Sequence, residues 1–236
     1  MFYTPSSFSP TMSRVVEKQM RNWEIARQQQ DGGSAPRAGP VMDFIAISRS
    51  VGLPGEEIAT QLHEKLGWPV FDREILHAMA GDDECRRQLY DAMDERDLSW
   101  MEEFLQSVSF AATGKDDYFH RLTETVLSLA RMGHTIFLGR ATDMILPREM
   151  GLRVRITAAR SYCIKQYGKA KGILPEQARR EVEEIEHERA RFIRHHFRVE
   201  AGDQARHDLI INMEFLTTQQ AVELIHAALR VKGIIR

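Results

Sequence analysis

Ser48-Arg49-Ser50-Val51-Gly52-Leu53-Pro54-Gly55 follows the apolar run Phe44-Ile45-Ala46-Ile47 and precedes Ile58, Leu62 and Leu66, spaced four residues apart. An apolar run of this length suits a buried strand, and the four-residue spacing marks one face of a helix. Strand, glycine-containing turn and helix N-terminus together form the layout that receives phosphate. Free backbone N–H groups and the helix dipole both point at the anion. Arg49, Ser50, Val51, Gly52, Leu53, Pro54, Gly55, Glu56 and Glu57 are therefore read as a phosphate-binding loop running into its helix.

The rest of the chain continues the alternation. Gly67 ends the first helix, and Trp68-Pro69-Val70-Phe71-Asp72 reads as a second strand. A helix-rich stretch covers about 73–132, with a break expected at Thr113-Gly114. Thr135-Ile136-Phe137-Leu138 is a third strand and Leu152-Arg153-Val154-Arg155-Ile156 a fourth. Pro175 stands where a first helical residue belongs, and helix is expected to about Phe197. His207-Asp208-Leu209-Ile210-Ile211 is a fifth strand, and Thr217 with Gln220 forms a capping box opening a last amphipathic helix. Strands alternating with helices predict an α/β fold, a five-stranded parallel sheet flanked by helices on both faces. The stretch 80–132 is too long for one crossover helix and is expected to be a helical insertion beside the sheet.

Upstream of this body, residues 1–10 are rich in Ser and Pro, and Val16, Met20 and Trp23 make a narrow apolar stripe on an expected helix over 11–30. Asp31 to Pro40 reads as a linker. The chain thus divides into an N-terminal helical arm and linker, 1–40, and a domain, 41–236. The stripe docks on its own domain or contacts a second copy, as a homodimer, or another partner.

A formal net charge of −2 over 236 residues and a pI near 6.5 argue against a broad nucleic-acid surface. Cys85 and Cys163 could pair on paper but carry no disulfide framework, and reduced thiols are the simpler reading. No apolar run approaches the ~20 residues of a membrane span, and the first residues lack the basic start and apolar core of a secretory signal. A cytoplasmic protein is expected.

Ligands of open parallel sheets bind beyond the carboxyl ends of the strands. The expected strands run into the phosphate loop, Asp72-Arg73, Gly139-Arg140, Thr157 with Arg160, and Asn212. A second cluster ends the long helix, where Arg189, Arg191, Arg194 and Arg198 follow Glu181, Glu183, Glu184, Glu186 and Glu188. Acid early and base late complements the helix dipole. The same arginines could instead form a lid that closes over phosphates. His195-His196 has no neighbouring residues that complete a metal-ligand set.

In these segments the chain resembles the cytidylate kinase-like family of P-loop proteins over about residues 42–230. Ile47 to Ala59 looks like the family's phosphate loop, and Leu66 to Ile75 like its next strand and the start of the monophosphate-binding region. Phe137-Leu138-Gly139-Arg140-Ala141-Thr142-Asp143 resembles the segment that holds the acceptor nucleotide. Glu186-His187-Glu188-Arg189, with Arg194, resembles the lid, expected over about 186–206, and His207 to Asn212 the last strand. Glu17 to Trp23 looks like an extension some members carry. The resemblance implies a P-loop nucleoside monophosphate kinase fold and transfer of the γ-phosphoryl group of ATP, with Mg²⁺, to CMP or a related nucleotide. By carry-over the loop amides cradle the donor phosphates. Arg73, Gly139, Arg140 and Asp143 serve the acceptor, Arg189 and Arg194 close over the transferred group, and Asp72 orients the acceptor or a metal-bound water.

One departure stands out. The family's loop usually reads Gly-Ser-Gly-Gly followed by a basic residue; here it reads Gly52-Leu53-Pro54-Gly55-Glu56. A charge-assisted bond worth ~1.5–3 kcal/mol is lost, a carboxylate lies beside phosphate, and Pro54 removes one N–H. At ~1.4 kcal/mol per tenfold, losing a few kcal/mol in the transition state slows transfer by about two orders of magnitude or more. The alternative is a catalytically degenerate relative that senses a nucleotide or binds a partner. Another phosphoryl or sulfuryl transfer on the same scaffold is a third option.

Overall fold

The structure, a computed structural model, describes residues 43–91, 117–131, 133–200, 202 and 204–236. The expected arm helix over 11–30 and the expected break at Thr113-Gly114 lie outside the described residues.

Five strands, β1 (Phe44–Arg49), β2 (Val70–Phe71), β3 (Thr135–Leu138), β4 (Leu152–Thr157) and β5 (Leu209–Asn212), form one sheet in the order β2-β3-β1-β4-β5. Every pairing is parallel. β1 is central, with Phe44 opposite Thr135 of β3 and Ile45 opposite Leu152 of β4. The connections reverse direction across the sheet at β1, and a crevice opens beyond its carboxyl end at such a switch point.

Side-chain alternation along β1 divides the core. Phe44 and Ala46 face a cluster with Phe71, Phe137 and the helices α2 (Arg73–Gly81), α3 (Asp83–Asp91), α4 (Asp117–Arg131) and α5 (Thr142–Ile145). Ile45 and Ile47 face the other side, with Ile136, Leu138, Val154 and Ile156 under α1 (Gly55–Leu66), α6 (Arg160–Lys171) and α8 (Thr218–Val231). The longest helix among the described residues is α7 (Pro175–Phe197).

Local signals explain most boundaries. Gly67 caps α1 in the left-handed conformation, φ 73°, where a Cβ would be strained. Pro175 opens α7, and Thr217 and Gln220 make the expected reciprocal capping box on α8. The second strand is shorter than expected: Trp68 and Pro69 precede it, and the Pro69 carbonyl accepts from the Ile136 N–H at 2.9 Å. A break not foreseen separates α2 from α3 at Asp82, whose Oδ1 accepts from the N–H groups of Glu84 and Cys85 at 3.0 Å each.

Candidate functional site

Beyond the carboxyl end of β1 lies a cavity of about 610 Å³. Ser48 and Arg49 line it from β1, Gly139, Arg140 and Ala141 from the turn after β3, and Arg155 from β4. Arg73 enters from the start of α2, Asp143 from α5, and Glu188, Arg189, Arg191 and Phe192 from the second half of α7. Arg206 and His207, just before β5, complete the wall. Parallel strands with one carboxyl edge bring these separated arginines together.

The cavity is strongly cationic. Burial, and then the charges of Arg49, Arg155 and Arg73, lower the pKa of Arg189 to about 10, against the opposing Glu186. Arg155 is lowered by burial, with Asp143 and Glu186 opposing. Arg140 is lowered by burial and by Arg73. Its guanidinium carbon lies 5.8 Å from the centre of the Tyr118 ring, a cation–π contact. Among the described residues the buried Nε atoms of Arg140 and Arg206 have no hydrogen-bond partner. Buried donors of this kind are costly to leave unmatched.

The second half of α7 is fastened over the site. Arg189 Nη1 donates to the Arg49 carbonyl at 3.0 Å. At the helix end, His196 stacks on Phe119 of α4 with ring centres 4.2 Å apart, and Phe197 meets the same ring edge-on at 5.4 Å. Farther back, near the start of the helix, Arg179 pairs with Glu176 and Glu183 on its surface.

The phosphate loop differs from its expected form. Ser50 N–H donates to the Ile156 carbonyl at 3.0 Å, Leu53 N–H to Ser50 at 3.4 Å and Gly55 N–H to Leu53 at 2.8 Å. Pro54 has no N–H. Only the Val51 and Gly52 amides of this turn are left without a backbone partner among the described residues. Arg49 runs back over Gly55, where a Cβ would collide with its side chain, and pairs with Glu56. Gly52, φ 86°, packs so closely on the Cys163 carbonyl and Tyr167 of α6 that no Cβ fits.

Of the expected site residues, Arg49, Arg73, Gly139, Arg140, Asp143 and Arg189 share the cavity, while Ser50 to Glu57 do not line it. Arg194 points elsewhere, 3.8 Å from Glu200, and Arg191 of the same helix lines the wall instead. Asp72 caps α2, its Oδ1 accepting from Glu74 and Ile75 N–H at 2.9 Å each. Arg160 pairs with Glu183 at 3.1 Å, and Asn212 Oδ1 accepts from Glu214 N–H at 3.0 Å.

Arg155, Arg206 and His207 were not singled out as site residues from sequence, and Arg191 was named only among the arginines of the expected lid. A signal for Arg155 existed: β4 alternates apolar and basic residues, so one of its faces is polar. On that face Arg153 is fully buried and donates to the carbonyls of Asp143, Arg148 and Leu146 at 2.8–2.9 Å, building the wall around α5. His207 Nε2 lies 3.0 Å from Ser48 Oγ and 3.4 Å from Asp143 Oδ2. One ring nitrogen serves both neighbours, so this is not a nucleophile relay, which uses the two nitrogens separately.

The model of the cytidylate kinase-like family matches residues 44–214, most of the chain and all the elements that wall the cavity. The chain belongs to the cytidylate kinase-like family. Its P-loop kinase architecture and kinase-like character follow from that membership. A search of the curated proteins finds no match. Among solved structures, an uncharacterized protein from Eubacterium ventriosum ATCC 27560 has 18% identity and a TM-score of 0.65, covering 80% of this chain and 99% of its own. A gluconokinase from Sinorhizobium meliloti 1021 has 13% identity, TM-score 0.48 and coverage of 81% and 94%. A shikimate kinase from Bacteroides thetaiotaomicron has 10% identity, TM-score 0.45 and coverage of 81% and 99%. Among the described residues no helix is long and apolar enough to cross a membrane.

Proposed function

We propose that the protein transfers the γ-phosphoryl group of ATP to a nucleoside monophosphate, with CMP the first acceptor to test. The observation that carries this reading is the convergence of Arg49, Arg73, Arg140 and Arg189, from four separate segments, on one cavity beyond β1. Phosphoryl transfer asks a protein mainly for positioning and charge neutralisation, and these residues supply both.

The donor set fits phosphate oxygens through guanidinium groups, since Arg49, Arg73, Arg140 and Arg189 line the cavity and Ser50 to Glu57 do not. ATP supplies the transferable phosphoryl group. Arg73 and Arg140 would hold the acceptor's phosphate, between Gly139 and Asp143. Arg189 would stay over the reacting phosphate, held by the Arg49 carbonyl, and Arg194 would come in from the helix end. Asp72 fixes the first turn of α2 and so the approach of Arg73. Among the described residues no group of three His, Cys, Asp or Glu could hold a metal. Mg²⁺ on substrate phosphates needs only one or two carboxylates, and Asp143 and Glu188 line the cavity.

A second reading rests on the loop. The Arg49–Glu56 pair and the spent amides suit a relative that binds a phosphorylated nucleotide without turning it over, with the 11–30 arm as its contact to a partner or second copy. Both readings place the protein in the cytoplasm. ATP titration by calorimetry with Mg²⁺, then a coupled assay across nucleoside monophosphates, separates them. No ATP binding at millimolar concentration sinks the kinase reading.

A further inference from the structure

We propose that Arg155 supplies the cation the phosphate loop lacks, reaching the donor's phosphates from β4. The inference rests on the kinase reading only for the identity of the donor.

Three observations carry it. Arg155 lies opposite Ser48 in the β1–β4 register, one strand away from the loop. It lines the same cavity as Arg49 and Arg189. Its Nη2 donates to Ser50 Oγ at 3.1 Å, so the guanidinium is held against the first turn of the loop. Among the described residues Arg155 makes no ion pair, whereas Arg49 is engaged by Glu56. Asp143 and Glu186 act on Arg155 only at longer range, and Arg189 from α7 presents a like charge.

Keeping Arg49, Arg155 and Arg189 close together costs free energy that an anion of several charges would relieve. A single phosphate suits one guanidinium fork, whereas three guanidiniums from β1, β4 and α7 suit a chain of phosphates. A loop lysine would approach a phosphate chain as a point charge. Here a planar fork fixed by Ser50 takes that part, and the Glu56 position is free to lose its basic residue. The acceptor arginines, Arg73 and Arg140, belong to other segments, so the two sides can be tested apart.

The experiment is calorimetry with tripolyphosphate, ATP and CMP as separate probes, on the full chain and two variants, with melting temperatures recorded. Arg155→Gln keeps a donor for Ser50 and removes the charge. It is expected to weaken tripolyphosphate and ATP about ten- to a hundredfold, while CMP affinity changes less than about twofold. Arg155→Lys keeps the charge on a group that burial makes easier to deprotonate. Its tripolyphosphate affinity, relative to the parent, is expected to fall between pH 7 and 9.5. That comparison stands even where Arg155→Gln fails to fold. Unchanged tripolyphosphate affinity in a folded Arg155→Gln, equal losses for CMP and tripolyphosphate, or a flat relative pH profile for Arg155→Lys overturns the assignment. A parent that binds no polyphosphate overturns it too. A parent that binds tripolyphosphate through Arg155 but phosphorylates no nucleoside monophosphate upholds the assignment and refutes the kinase reading.

Discussion

The Arg49 carbonyl accepts a hydrogen bond from Arg189 Nη1 at 3.0 Å, so the last residue of the central strand and the second half of the long helix meet directly over the cavity. The contact brings two positive side chains close together, and burial and neighbouring arginines lower the Arg189 pKa to about 10. A base whose folded pKa is lowered destabilises the fold while it is charged. The deficit is complete below about pH 10 and is relieved as pH rises from there toward the ordinary arginine value. Arg189→Met removes that deficit. Urea unfolding at intervals from pH 8 to 11 should show the parent gaining on the variant as pH rises. A constant difference would show that Arg189 carries no such electrostatic cost.

Glu56→Gln releases Arg49 toward the cavity. The pair is exposed on the Glu56 side, 64%, so stability should change by no more than ~0.5 kcal/mol. ATP affinity should rise about tenfold, because a competing carboxylate leaves and a guanidinium is freed. Calorimetry with no gain would place the obstacle in the turn geometry instead.

Two glycines of the turn should respond differently to alanine. At Gly52 a Cβ meets a backbone carbonyl at positive φ, and the expected loss is ~1–3 kcal/mol. At Gly55 it meets only the movable Arg49 side chain, and alanine suits a first helical turn. Gly55→Ala should leave the denaturation midpoint nearly unchanged while dislodging Arg49. Chemical denaturation of the two variants side by side decides it.

Arg153→Met should cost about 3–5 kcal/mol, since three carbonyls, one buried and two part-buried, lose their donors. Arg153→Lys should restore little, because an ammonium cannot span the same fork. Recovery to parental stability with Lys would show that the charge matters and the geometry does not.

His77 offers a reporter on the acceptor side. Its pKa is held down by burial and then by Arg140 and Arg73. A phosphate bound to those arginines offsets their charge, so the His77 pKa should rise when CMP is added. An NMR titration of the ring that shows no change with saturating CMP would remove Arg73 and Arg140 from the acceptor site.

The order of elements was legible because its signals are local. Alternating apolar runs, Gly67 at a left-handed cap, Pro175 at a first turn and the Thr217–Gln220 box each act within a few residues. The break at Asp82 was missed because one aspartate capping two amides looks, in sequence, like any acid in a helical stretch. Part of the candidate site was legible for a related reason: Arg49 ends a strand, Arg73 and Arg140 lie just past strand ends, and parallel topology carries strand ends to one edge.

Sequence by itself determined that a parallel sheet would present a loop and several arginines on one side. Tertiary structure alone decided which arginines face the cavity. Arg153 and Arg155 point to the same face of β4, yet the first is spent on carbonyls around α5 and the second reaches the cavity. Arg191 lines the wall and Arg194, three residues on, does not. A guanidinium's partner is set by what other segments pack against it, and those segments are distant in the chain. The loop shows the same division: its position followed from strand and helix, whereas its closing by Arg49 and Glu56 required both side chains in place.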